Sequence, residues 1–232
     1  MKRALIGTAF VSFVLVWGIT LCYSDPLDTV PAWYFQLSGA AQGSMKLQFN
    51  HGTFTGAGAT KGGGVLAIQG SYSFVSESTF SGIYFADGDF VFETGTFQGT
   101  VSKKGDKVTM NLLSKGGDRY ITKGAMTPPN IMISGTFNIV LSGDDQGSFT
   151  ITSGNSGMPD LFYLSGSGET EYNGTTFLSA TGYCDGKGNM YGSWSVDGEA
   201  LSTVGTFSGK FKGGKISAKC VSVEGYVYGI KN

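Results

Sequence analysis

The chain is short of the side chains on which most enzyme chemistry rests. Its 232 residues include one histidine, His51, and two arginines, Arg3 and Arg119. Charged residues are 14% of the total, against about a quarter in an average soluble domain. No GxSxG, HExxH, CxxC or P-loop pattern occurs, so the spacings that mark a serine hydrolase, a zinc peptidase, a dithiol centre or a phosphate-cradling loop are missing. Beyond residue 24 no segment carries an apolar period of 3.6 over three turns, which leaves almost no room for amphipathic helix. Proline is confined to five positions, 26, 31, 128, 129 and 159, and so interrupts the chain rarely.

The longest uncharged apolar run lies at the very start. Lys2 and Arg3 precede an apolar core from Ala4 to Leu21, and Cys22-Tyr23-Ser24 sets small residues at the −3 and −1 positions of a cleavage site after Ser24. Residues 1–24 are expected to be a helical export signal, and N-terminal sequencing of the mature chain is expected to begin at Asp25. The run is also just long enough to span a bilayer as a retained anchor. Lipid attachment at Cys22 is the third reading, weakened by Leu21, which is larger than a lipoprotein site prefers. Loss of Lys2 and Arg3 takes the 16 basic residues to 14 against 17 acidic ones, net −3. That balance argues against a nucleic-acid partner, whose affinity would rest on basic contacts to phosphate. The expected location is secreted, periplasmic or in the cell envelope, with bacterial export favoured and membrane contact only through the leader.

Two cysteines survive such processing, Cys184 and Cys220. In an oxidising compartment an even pair predicts one disulfide, whose loop would be worth about 3–4 kcal/mol in the chain-entropy model. Two buried thiols are the alternative.

What the chain does have is glycine, 38 residues, and aromatics, 13%. Disordered glycine-rich tracts are poor in aromatics, so the combination points to packed strands. Met45-Lys46-Leu47-Gln48-Phe49, Val108-Thr109-Met110-Asn111-Leu112 and Phe207-Ser208-Gly209-Lys210-Phe211 alternate apolar and polar at period 2, the mark of a half-buried antiparallel strand. A hairpin cassette recurs at Gly52, Ser78, Gly95, Gly135 and Gly205, each copy opening Gly/Ser-Thr-Phe. Gaps between strands are too short for parallel crossovers. The expected fold is therefore all-β, an antiparallel up-and-down meander over residues 25–232 that closes into a β-barrel or a β-sandwich. A seam is expected near 153–159, and a second break at Pro128-Pro129. The GTFQG and GTFSG copies hint at duplication. In general style the strands and tips resemble the Gly/Thr-rich meander domains that bacteria export, a likeness that carries no function with it.

The cassette has a geometric logic. Residues i, i+2 and i+4 share a strand face. The glycine two after the phenylalanine in four of the five copies (Gly56, Gly82, Gly99, Gly209) then sits on the apolar face and leaves a notch. A cross-strand ring can fill it. If the notches merge instead, the interior holds a chamber for a small apolar ligand.

Other candidate sites have plain structural readings. His51 sits at a hairpin tip with no acid or nucleophile beside it in sequence. Asp185-Gly186-Lys187-Gly188-Asn189 has the alternation of a calcium loop but puts Lys187 at a ligand position and lacks the distal glutamate. Asp87/Asp89 and Asp144/Asp145 are similar. Glu169 and Glu171 share a strand face, whereas glycosidase carboxylates face each other across a cleft. Asn173-Gly174-Thr175 fits a glycosylation sequon. Tyr34, outward by alternation between Trp33 and Phe35, and Trp194 are the aromatic candidates for binding. The expectation is an exported, non-enzymatic binding or interaction module, with no catalytic residues, metal or cofactor assigned. Its partner would be a protein, a glycan or an apolar small molecule. A carrier barrel is the alternative and a hydrolase the third reading.

Overall fold

The computed structural model describes residues 25–128, 131–154 and 161–232, and the leader expected at 1–24 lies outside them. Regular structure among the described residues is strand throughout, sixteen strands in two closed antiparallel barrels. The first barrel contains β1 (Trp33–Gly39), β2 (Gly43–Asn50), β3 (Thr53–Thr60), β4 (Gly64–Phe74), β5 (Thr79–Gly88), β6 (Phe92–Val101), β7 (Lys107–Ser114) and β8 (Arg119–Ala125). The second contains β9 (Thr136–Gly143), β10 (Gly147–Gly154), β11 (Leu161–Thr170), β12 (Gly174–Cys184), β13 (Asn189–Gly198), β14 (Ser202–Lys212), β15 (Lys215–Ser222) and β16 (Val227–Lys231). Each is an up-and-down meander whose last strand pairs with its first: β1 with β8, in register Tyr34↔Ala125, and β9 with β16, in register Leu141↔Ile230. Of the two expected closures the barrel is the one adopted, twice. The barrel changes at residues 126–135, around Pro128. The seam anticipated at 153–159 falls instead between β10 and β11, which are hydrogen-bonded to each other within the second barrel.

Strand faces follow the alternation. Val108, Met110 and Leu112 of β7 point inward and are buried, while Lys107 and Asn111 face out. Apolar side chains fill the inside and Thr, Ser, Gln and Lys dominate the outside, the reverse of a barrel that faces lipid. The five cassette phenylalanines, Phe54, Phe80, Phe97, Phe137 and Phe207, are all buried.

Rings occupy the notches that the glycines leave. Phe80 lies opposite Gly99, and Phe97 lies opposite Gly82, so β5 and β6 exchange a ring for a gap in both directions. A methyl group on Gly82 would come 2.8 Å from Phe97 Cζ, and one on Gly99 would overlap the Phe80 ring. Leu47 covers Gly56, and the Ala218 methyl covers Gly209. In the first barrel the rings meet one another around Phe49, which packs on Phe54 and edge-on to Tyr72 at 5.4–5.5 Å between centroids.

The barrels are copies of one design. Residues 82–101 align without gaps on 192–211, with seven identities: glycines 82/192, 88/198, 95/205 and 99/209, plus Asp87/Asp197, Thr96/Thr206 and Phe97/Phe207. They form the fifth and sixth strands of their barrels. Tyr84 covers Gly95 as Trp194 covers Gly205. The turns that follow match as well: Ser114 N donates to Asp118 O at 2.9 Å, and Ser222 N donates to Tyr226 O at 2.9 Å. A segment ahead of the first strand also packs into each barrel core, through Leu27 in one and Ile133 in the other.

Strands β12–β14 lie against β2–β4. The contact explains outward residues that are nevertheless buried: Ser44 and Ala59 on one wall, Tyr183 on the other. Small side chains let the two walls approach. Val65 N donates to Ser193 Oγ at 2.9 Å and to Asp89 Oδ2 at 3.2 Å, and Ser193 Oγ donates to the same Asp89 carboxylate.

Candidate functional site

Where the two barrel walls diverge they leave a cleft of about 500 Å3, within the range of small-molecule sites and at the kind of inter-unit boundary where such sites concentrate. Its floor on the first barrel is the outer face of β7, β8, β1 and β2. The registers set two rows across those strands. One runs Lys107, Ala125, Tyr34, Lys46 and the other Thr109, Lys123, Gln36, Ser44. Successive members of a row stand about 4.8 Å apart. Three lysines and no acid occupy the eight positions. Lys46 Nζ lies 5.7 Å from the centre of the Tyr34 ring. The second barrel closes the cleft with Tyr183 and the tip carrying Asp185 and Gly186.

The Asp185 carboxylate is committed to the tip. Oδ1 accepts from Lys187 N and Asn189 N, each at 2.8 Å, and Oδ2 accepts from Asn189 Nδ2 at 2.7 Å and from Gln36 Nε2 at 3.4 Å. The last bond ties the barrels together at the cleft edge. Ser44 Oγ is buried at this boundary with no hydrogen-bond partner, a costly condition for a hydroxyl unless something fills it.

Tyr34, expected to face outward, does so and is half-buried in this cleft. Trp194 is core instead: it is 5% exposed, donates from Nε1 to Thr206 O at 3.0 Å and lies over Gly205. Its alternate-residue neighbours Met190 and Gly192 share that inward face. Cys184 and Cys220 are both free and buried, so the disulfide is not formed. They sit on β12 and β15, three strand steps apart, about 14 Å along the wall, whereas a disulfide needs Cα atoms within about 7 Å. Burial pushes each thiol up to about 12, with the Asp185 charge adding to the effect at Cys184. Thiols held protonated in this way are poor nucleophiles.

His51 forms part of a cap on the first barrel. It and Gly52 both have positive φ, 44° and 82°, as a two-residue type I′ hairpin requires. Asp28 Oδ2 takes the His51 backbone N–H at 2.8 Å and lies 2.7 Å from Nδ1. Tyr72 OH bonds Asp28 and Asp25. These groups satisfy one another, which gives them a structural use. The acids with a calcium-like look are likewise acceptors for the chain itself: Asp89 for Val65 N, Asp144 for Val227 N, Asp145 for Gln146 N and Tyr172 N. Glu169 and Glu171 are exposed. Asn173, the sequon residue, is 5% exposed and folded against Gly198. Among the described residues no three of His, Cys, Asp and Glu converge as a metal site.

The residues that sequence reading missed are Lys107, Lys123, Gln36 and Ser44. Each is an ordinary polar position on its own strand. Only the closure of β8 onto β1 sets them side by side, and no local pattern encodes that pairing. Compared with known proteins, the chain matches no family model and no curated protein sequence.

Proposed function

We propose that this chain is an exported, non-enzymatic binding module that works from the outer surface of its two barrels, with the cleft between them as its site. The observation that carries the reading is the convergence of polar groups from both barrels on that cleft, with the unsatisfied Ser44 hydroxyl at its base. The interior of the second barrel offers a ligand far less: the cavity enclosed there is about 20 Å3, room for a single water. A carrier would need a chamber of about 300 Å3 or more. Export is supported by the leader and by the position of Asp25. The first residue after the expected cleavage point is already built into the fold, accepting from Leu27 N at 2.8 Å and from Tyr72 OH.

Native mass spectrometry of the exported protein tests the reading whatever the chemistry of the ligand. A small molecule retained by the natural chain is expected to be lost from Thr109→Trp, which fills the cleft from an outward position, and kept by Phe177→Ser, exposed at the end of β12 away from Tyr183 and the cleft. Retention by both variants would place the site elsewhere. A mature N-terminus at Met1, or an acylated Cys22, would overturn cleavage.

A further inference from the structure

We infer that the cleft selects an acidic saccharide, a carboxylate held by Lys107 and Lys123 and a sugar ring set against Tyr34. This rests on reading the cleft as the binding site. The first support is charge. Without its leader the chain is net negative, yet the first-barrel floor of the cleft carries two lysines, Lys107 and Lys123, and no acid, with Lys46 next to Tyr34 in the same row. Lys107 and Lys123 are diagonal neighbours on one face, because Lys107 pairs with Ala125, two residues on from Lys123. Like charges so placed repel. Among the described residues neither has an ion-pair partner within 4.0 Å, the one such pair being His51–Asp28. Asp106, beside Lys107 in the chain, feels the charges of Lys107 and Lys104, and its carboxylate accepts from Ser102 Oγ at 2.7 Å. Asp185, the acid of the opposite wall, keeps its charge, but its oxygens are turned to amide donors of its own tip and it forms no ion pair within 4.0 Å with either lysine. An anion entering from solution would relieve the repulsion and gain charge-assisted hydrogen bonds.

The second support is the company the lysines keep. Tyr34 offers an aromatic plane, and Gln36 and Thr109 offer an amide and a hydroxyl in the adjoining row. That set matches the alternating hydroxyls and apolar ring face of a sugar.

The test is a titration of the ¹⁵N-labelled mature chain with trigalacturonate and, separately, with its methyl ester, which keeps the rings and removes the charge. Trigalacturonate is expected to shift the amide signals of Tyr34, Gln36 and Lys123, with affinity falling as salt rises. Lys107→Gln/Lys123→Gln is expected to weaken binding by about tenfold or more, equivalent to about 1.4 kcal/mol, with an unchanged thermal midpoint to show that the barrel is intact. Equal binding of the ester at the same amides would overturn charge selection while leaving the cleft as the site. Shifts confined to other faces would overturn both. No shift with either sugar would overturn the saccharide assignment, and the fate of the retained molecule in Thr109→Trp would still decide the cleft.

Discussion

At the scale of single residues, the interior is built from rings seated on glycines. Phe80 and Gly99 make one such pair. Phe80→Ala is expected to cost about 3–5 kcal/mol. Gly99→Ala is expected to cost about 1–3 kcal/mol, because the new methyl meets the ring. The double variant is expected to fall short of the sum, since removing the ring also removes the clash, and urea titration of the four proteins reads the difference. Additive costs would mean that the ring does not sit on the glycine. A second residue-scale expectation concerns pH. Tyr72, Tyr84 and Tyr120 have hydroxyls pushed above their ordinary value of 10.0, first by burial and then by the carboxylates of Asp25 or Glu93 that accept from them. The two thiols are raised from 9.0 to about 12. A folded value above the unfolded one means that stability is whole below the unfolded value and declines as pH rises through the folded one. Stability is therefore expected to hold up to about pH 9 and to fall beyond it, and replacing both cysteines by alanine is expected to move the onset toward 10. A urea midpoint that rises between pH 9 and 12 would contradict this.

Among elements, the hairpins needed little beyond local chemistry. The alternation of β2, β7 and β14 was legible because one face is dry and the other wet. The tips were legible because positive φ favours glycine, as at Gly105 and Gly117. What was not legible is the segment 25–32, which has no alternation and yet serves as a cap. Leu27 is fully buried in the first core, its carbonyl accepts from Trp33 Nε1 at 3.2 Å, and Asp28 holds the His51 tip. Leu27→Ala is expected to lower stability by about 2–5 kcal/mol. Asp28→Ala, which removes the acceptor of the exposed His51 N–H and one of the two carboxylates bonded to Tyr72 OH, is expected to cost about 0.5–1.5 kcal/mol. Amide exchange at the β2–β3 and β4–β5 ends is the second readout, expected to quicken in both variants. If only the global midpoint moves, the segment is ordinary core and not a local cap.

For the whole molecule, the arrangement of the barrels depends on few bonds. Asp89 collects Ser193 Oγ and Val65 N, and Gln36 reaches Asp185. Asp89→Ala combined with Gln36→Ala is expected to leave each barrel folded and to loosen one against the other, seen as an increased radius of gyration by small-angle scattering with unchanged circular dichroism. An unchanged radius would show that the packing of Ser44, Ala59 and Tyr183 is enough to hold the walls together. The sequence by itself determined the class and the parts: antiparallel strands, their inward faces, their turns and the ring-on-glycine device. All of these rest on a period of two and on backbone preferences that act over a few residues. Tertiary structure alone decided that the meander closes twice, that the break at Pro128 and not 153–159 divides the barrels, that Cys184 and Cys220 stay apart, and that three lysines gather round Tyr34. Those outcomes depend on which distant strands pair and which outer faces meet, and outward residues that read as solvated become buried or clustered only once a second wall arrives.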